Sequence, residues 1–299
     1  MSGASGQKGL MAGRGGVLLV AAGAAMLSFS AVFVKLAQVG PTVAGFYRTL
    51  FGGLILALVL MASGQGLRLR PARPALVLVS ALAFALDLTF WHRSIHYVGP
   101  GLATILSNFQ VFFLAGIGAL FLRERLGWRM AVAAPLAMAG LYLLVGFNRQ
   151  SWPDNYGLGV VLGVLTALAY ATYILSLRRL QAGLGQAEVQ ANVVIISLVT
   201  ALCLGPEAWL LGESFAIPDL KSWLALIGYG VCGQVLGWVL ISRGLPQVDA
   251  ARAGLILLMQ PALSFVWDMV FFARPTTSIE LVGAVGALAA IYLGSTSRS

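Results

Sequence analysis

The segment ALDLTFWHRSIHY, residues 85–97, sets an aspartate, two histidines and an arginine in strongly apolar surroundings. On a helix Asp87, Trp91 and Ser94 share one face, because residues three or four apart are neighbours. An acid beside an indole suits an ammonium group attached to an apolar or aromatic side chain. A lone ionised residue in hydrocarbon costs about 2.5–3.5 kcal/mol on insertion scales, so Asp87 requires a partner. Arg48, in AGFYRTLFGG (44–53), is the only base placed well inside a neighbouring apolar run. An Asp87–Arg48 pair, a substrate ammonium and a proton are the three partners open to the acid. His92 and His96 have the spacing of two zinc ligands, but such a site needs a third, and neither Cys203 nor Cys232 sits near them in sequence. No metal or other cofactor is expected.

The remaining polar groups inside apolar runs are few. Asn108 and Gln110 lie in one run, Gln234 and Trp238 four apart in another, and Gln260, Pro261, Trp267 and Asp268 in a third. An amide at that depth has to bond to a helix, water or a ligand. Asp87, Trp91, Asn108, Gln110, Gln234, Trp238, Gln260 and Tyr47 are the candidate substrate-binding residues. Arg48, Asp268, His92 and Pro261 are the candidate structural or coupling residues, Asp268 lying toward the outside. Tyr170 and Tyr173 also fall within a run. Trp128, Trp152, Trp209 and Trp223 fall at run ends, as interfacial aromatics do.

These residues need a frame, and composition supplies it. The chain of 299 residues is 59% hydrophobic and 10% charged, whereas a soluble domain carries about 25% charged residues. Ten runs are long enough to span a bilayer, near 17–37, 43–62, 75–96, 102–122, 129–147, 157–177, 189–210, 222–243, 251–272 and 279–296. The fold class is thus an all-α polytopic membrane protein with a lipid bilayer as its first partner. The net charge of +9 comes from bases in short loops. With the N-terminus in the cytoplasm, the inner segments hold Lys8, Arg14, Arg68, Arg70, Arg73, Arg123, Arg125, Arg129, Arg178, Arg179, Arg243, Arg252 and Arg298. The outer ones hold Lys35, Arg93, Arg149, Lys221 and Arg274, an imbalance that puts both termini inside. No basic stripe with stacking aromatics stands apart from the spans, which excludes nucleic acid. Ser-His-Asp sets and phosphate-cradling glycine motifs are missing too, so no enzyme is expected and no direct coupling to ATP.

Sliding the chain by 150 residues aligns Arg93 with Arg243, Val98 with Val248, Ala103 with Ala253, Gln110 with Gln260, Ala139 with Ala289 and Tyr142 with Tyr292. Five spans repeated, an odd number, make the two copies inverted, with halves expected at 1–148 and 149–299. Inverted repeats are typical of secondary transporters whose sites lie near the midplane.

The stretch HRSIHYVGPGLATILSNFQVFFLAGIGALFLRERLGW (92–128) and its partner SRGLPQVDAARAGLILLMQPALSFVWDMVFFARPTTS (242–278) resemble the paired EamA modules of the drug/metabolite transporter superfamily. Pro261 holds the family's central proline in the second copy, where the first has Val111. Glu124 and Arg125 hold its acidic-basic pair in the first copy, where the second has Arg274 and Pro275. The resemblance implies ten helices around a central cavity in a bacterial inner membrane, with the fifth and tenth packed outside it. Their small-residue faces, AVAAPLAMAGLYLL (131–144) and LVGAVGALAAIYLG (281–294), suit close packing or a homodimer contact. Within the superfamily the chain is most similar to YddG-type exporters of aromatic amino acids. The implied activity is amino-acid export by alternating access, with proton-coupled export of drugs or other metabolites as the alternative.

Overall fold

Hydrocarbon forces each spanning segment to satisfy its own backbone, and helices do so alone. The structure, a computed structural model, describes residues 3–64, 71, 73–145, 155–273 and 275–295, without the side chains of residues 3–14, 100, 101, 144 and 145. Arg68, Arg70, Arg149, Trp152, Arg274 and Arg298, with the side chains of Lys8 and Arg14, lie outside the described residues.

Among the described residues ten helical spans follow one another. α1 comprises Gly3–Ser28 and Ser30–Ala37, and α2 is Pro41–Ala62. α3 is Pro74–Gly99, and α4 runs over Leu102–Phe121 with a break at Phe109. α5 is Trp128–Val145, α6 Tyr156–Gln181 and α7 Gln186–Leu210. α8, Leu220–Gln247, contains a wide π-helical segment at Gly230–Trp238. α9 comprises Ala250–Leu257 and Met259–Phe272, and α10 is Ser278–Ser295. Among the described residues nine of these are long and apolar enough to cross a membrane, and the apolar part of α5, Trp128–Leu143, is shorter. No strand occurs among the described residues.

Local chemistry sets the ends. Pro41 and Pro74 start α2 and α3 at a position where the missing N–H costs nothing. Asp219 caps α8 by accepting the Ser222 N–H at 2.7 Å, and those hydrogen bonds hold its carboxyl below the usual carboxylate range. Gly99, at φ 79° and ψ 162°, makes the sharp corner between α3 and α4 in a region that disfavours any side chain.

The packing has the inverted symmetry the repeat predicts. α1 lies on α8 as α6 lies on α3, while α2 meets α7, α4 meets α9 and α5 meets α10. Small residues carry the tightest crossings. A Cβ added at Gly52 in α2 would sit 2.4 Å from the Gln234 Cβ in α8. One added at Gly140 in α5 would sit 2.7 Å from both Ala287 N and Gly283 O in α10. The small-residue faces of the fifth and tenth helices thus meet each other within the chain. That contact is the close packing such faces suit, and Leu136, Val282 and Val285 of the same helices stay exposed on the outside. Leu54, Leu58, Leu78, Leu82 and Leu202 form part of the exposed apolar surface that lipid covers.

Candidate functional site

The inner halves of α4 and α9 pack together, and no comparable packing joins their outer halves. Leu114 and Val111 press on Gly254, whose absent Cβ would stand 2.9 Å from Leu114. Gln110, fully buried, donates from Nε2 to the Gly254 carbonyl at 3.1 Å across this seam, while its Oε1 has no partner. At the cytoplasmic end Glu124 ties three helices. Its Oε1 takes Arg178 of α6 at 2.6 Å and its Oε2 takes the Ala250 N–H, the first of α9, at 2.8 Å. The molecule is closed toward the cytoplasm.

Both α4 and α9 break, at Phe109 and at Leu258, within one residue of matched positions and for different reasons. Pro261 has no N–H for the Leu257 carbonyl, which ends the first half of α9. In α4 the Ser107 hydroxyl, at 2.9 Å, and the Asn108 amide, at 2.7 Å, both donate to the Thr104 carbonyl and compete with the backbone bond. Asn108 is thereby committed to its own helix. Gln260 and Pro261 are half-buried just beyond the break.

Above the closed seam, four helices converge on Arg48. It is 5% exposed in α2. Its Nε donates to Gln234 Oε1 at 3.2 Å and its Nη1 to the Tyr229 hydroxyl at 3.3 Å. The guanidinium carbon lies 5.5 Å from the Phe84 ring centre and 5.0 Å from that of Tyr229, within cation–π range. Gly233 leaves it room, since a Cβ there would stand 3.1 Å from Nε. Gln234 is fixed in turn by donating to Ser197 Oγ at 2.7 Å. Gln234 and Trp238, expected to face a cavity, are each 1% exposed. Gln234 spends its amide on protein, and Trp238 belongs to an aromatic floor, 5.4 Å from Phe84 and 4.6 Å from Tyr173. Phe84 and Tyr173 stack at 4.6 Å beneath the site, and the Trp238 indole N–H has no partner.

Asp87 sits one turn above Phe84. It is half-buried, within electrostatic reach of Arg48, Tyr170 and Tyr173, and makes no hydrogen bond or ion pair among the described residues. The Asp87–Arg48 pair considered from the sequence is not formed: the guanidinium is held down on the α8 side by Gln234 and Tyr229. Trp91, one further turn outward, is half-buried beside His92. His92 turns toward α2, its Cε1 3.5 Å from where a Gly45 Cβ would lie, and His96 is exposed.

Two of the expected site residues lie elsewhere. Tyr47 donates to the Phe215 carbonyl at 2.7 Å and packs with Phe46 and Phe51 under the outer α7–α8 loop. Being next to Arg48 in sequence it leaves the helix in another direction. Asp268 pairs with Lys35 at 2.6 Å at the outer ends of α9 and α1. The sequence reading missed Phe84, Tyr229 and Ser197, the first of which is marked only by standing three residues before Asp87. It also missed Glu207, an acid in α7 that takes the Thr89 hydroxyl at 2.5 Å and faces Arg93 at 3.6 Å.

Ten helices in two inverted sets, closed on one side over a polar and aromatic midplane site, define a secondary carrier of small molecules. The model of the EamA-like transporter family matches residues 14–146 and again 157–296, and the chain belongs to that family. It is a multi-pass inner-membrane transporter and not an enzyme. An uncharacterized transporter of Archaeoglobus fulgidus is 25% identical over 281 residues, covering 94% of this chain and 96% of its own. A probable amino-acid metabolite efflux pump of Salmonella typhimurium is 22% identical, over 74% of this chain and 78% of the relative. A biotin transporter of the same organism is 26% identical over 57% of this chain and 56% of its own. A protein of known crystal structure shares the fold with a TM-score of 0.81 at 19% identity, over 94% of this chain and 97% of that one.

Proposed function

We propose that this chain exports neutral amino acids, aromatic ones among them, by alternating access down their own gradient, as YddG-type exporters do. The observation that carries the reading is Asp87: a carboxyl group with no partner among the described residues, one turn above Phe84, with the half-buried rings of Trp91 and Tyr170 beside it. An acid so placed meets an ammonium group, and the rings meet the side chain attached to it. Similarity to an amino-acid metabolite efflux pump supports the same cargo class. The two transporting halves are 1–148 and 149–299, rocking about the site. Asp87 is also what favours a second reading, proton-coupled export of drugs or other small metabolites, since a lone midspan acid is a natural proton carrier.

The test is uptake of labelled phenylalanine, methionine and threonine by reconstituted vesicles, with and without an imposed pH gradient, beside a panel of cationic drugs. Saturable amino-acid uptake without a gradient is the expected result. Gradient-driven drug movement with no amino-acid uptake would overturn the proposal in favour of the second reading.

A further inference from the structure

Arg48 poses an electrostatic problem that the fold leaves unsolved. A guanidinium stays charged at any pH a cell meets, and burying it without an anion is expensive. Arg48 is 5% exposed, yet its protein partners are neutral: an amide oxygen, a phenol and two ring faces. Nε and Nη1 are occupied, while Nη2 has no hydrogen-bond partner among the described residues and is not sealed from its surroundings. The nearby carboxylate that would neutralise it, Asp87, stays apart and is itself unpartnered and unsealed. The guanidinium and the carboxyl group therefore stand within electrostatic reach of each other without closing into an ion pair. The separation is built in, because Gln234, anchored on Ser197, and Tyr229 hold the guanidinium toward α8 while Asp87 is fixed on α3.

We propose that Arg48 and Asp87 are the two poles of a zwitterion site, Arg48 taking the cargo's carboxylate and Asp87 its ammonium group. The assignment rests on the amino-acid reading above and adds to it the residue that selects the carboxylate. Both poles are needed at once. A simple amine leaves Arg48 without an anion, a simple acid brings a second negative charge to Asp87, and only a molecule carrying both charges neutralises both residues. The half-buried rings of Trp91 and Tyr170 then lie where a side chain hangs from the α-carbon, backed by the packed rings of Phe84, Tyr173 and Trp238. Selection by two charges and a flat apolar surface gives a carrier that demands the amino-acid head group and tolerates many side chains.

The experiment measures competition against labelled phenylalanine by unlabelled phenylalanine, phenethylamine and 3-phenylpropionate in reconstituted vesicles, for the wild type, Asp87→Asn, Arg48→Gln and Arg48→Lys. In the wild type each single-pole analogue is expected to compete at least 30-fold more weakly than phenylalanine. Asp87→Asn is expected to shift the ranking toward phenylpropionate and Arg48→Gln toward phenethylamine, by tenfold or more each. Arg48→Lys keeps the charge and restores phenylalanine preference in part. If Arg48→Gln fails to fold, Asp87→Asn and Arg48→Lys still decide, because the first must relax and the second must retain selection for both groups. Amino-acid uptake by the wild type with the same analogue ranking in every folded variant would overturn the zwitterion site while leaving the exporter reading intact. No amino-acid uptake by the wild type would overturn both.

Discussion

Glu124 is the point at which a single substitution should tip the molecule from closed to open on its cytoplasmic side. Its carboxylate joins the end of α4 to Arg178 of α6 at 2.6 Å and to the first N–H of α9 at 2.8 Å, with side chains only 11% and 20% exposed for Glu124 and Arg178. Gly118 makes the room, since a Cβ there would stand 2.7 Å from Glu124 Oε2. Two unit charges this close gain about 6 kcal/mol at an effective dielectric near 20. Desolvation cancels most of that, and coupling between contacting residues falls in the range of about 0.5–3 kcal/mol. Taking about 2 kcal/mol for the pair, Glu124→Gln should raise the open fraction on the order of 30-fold, at about 1.4 kcal/mol per tenfold. The reporter is Leu114→Cys, fully buried in the α4–α9 seam, in a chain with Cys203 and Cys232 replaced by alanine. Its labelling by an impermeant maleimide in inside-out vesicles should accelerate by between 10-fold and 30-fold, in line with that shift in the equilibrium. Arg178→Gln should do the same, and the double variant little more. A change below threefold, or an equal rise when the reagent is added from the opposite face, would refute the latch.

Other substitutions separate strong contacts from weak ones. Gly140→Leu drives a side chain into the Ala287 and Gly283 backbone; overpacking of this kind costs about 1–3 kcal/mol, so detergent-solubilised protein should melt several degrees lower. An unchanged melting temperature would show that α5 and α10 do not depend on that crossing. Lys35→Gln or Asp268→Asn removes a pair whose lysine is 49% exposed; a surface pair is worth about 0–1 kcal/mol, so uptake should stay within twofold of wild type, and a greater loss would give the outer pair a role in transport. The inverted repeat sets Gln260 and Thr104 where Gln110 and Gly254 now meet. Thr104→Cys with Gln260→Cys should therefore cross-link readily when Glu124→Gln is also present and poorly without it, and equal cross-linking in both backgrounds would count against the exchange.

The spans, their orientation and their duplication are legible in the sequence because each is written by a local rule: run length, the siting of bases, a fixed shift. Asp87 is legible as well, being a lone acid in a long apolar run. Arg48 stands out by the same logic, but its partners do not, since Gln234 and Tyr229 lie 186 and 181 residues away. The pairing of Gln234 with Trp238 as one cavity-facing unit fails for a specific reason. Both side chains are taken up by other helices, Gln234 by Arg48 and Ser197 and Trp238 by Phe84 and Tyr173, on a segment, Gly230–Trp238, that is wound as a π-helix. The wider turn belongs to a backbone rich in glycine: Gly230 lies against Gly52 of α2, with its absent Cβ 2.8 Å from Gly52 N, and Gly233 makes space for the arginine. None of this is written in periodicity, because its cause lies on another helix.

The repeat holds where the chain must pivot and fails where it must bind. Gln110 and Gln260 of α4 and α9 are kept in both copies, and so are Ala134 and Ala284, and Ala137 and Ala287, the alanines buried where α5 meets α10. Under the same shift Phe84 faces Gln234, Asp87 faces Gly237, Leu88 faces Trp238 and Trp91 faces Ile241, so no polar or aromatic group of the site is duplicated. Matched residues at these crossings bring the two packings closer in energy, which a carrier needs if it is to visit both. An amino acid, however, has no two-fold axis: one end is an anion, the other a cation, and its side chain hangs to one side. A site on the pseudo-symmetry axis that kept the repeat would offer the cargo two acids or two bases. Losing the repeat at Asp87 and the rings around it, while keeping it at Gln110 and along the α5–α10 crossing, lets a nearly symmetric protein hold an asymmetric molecule.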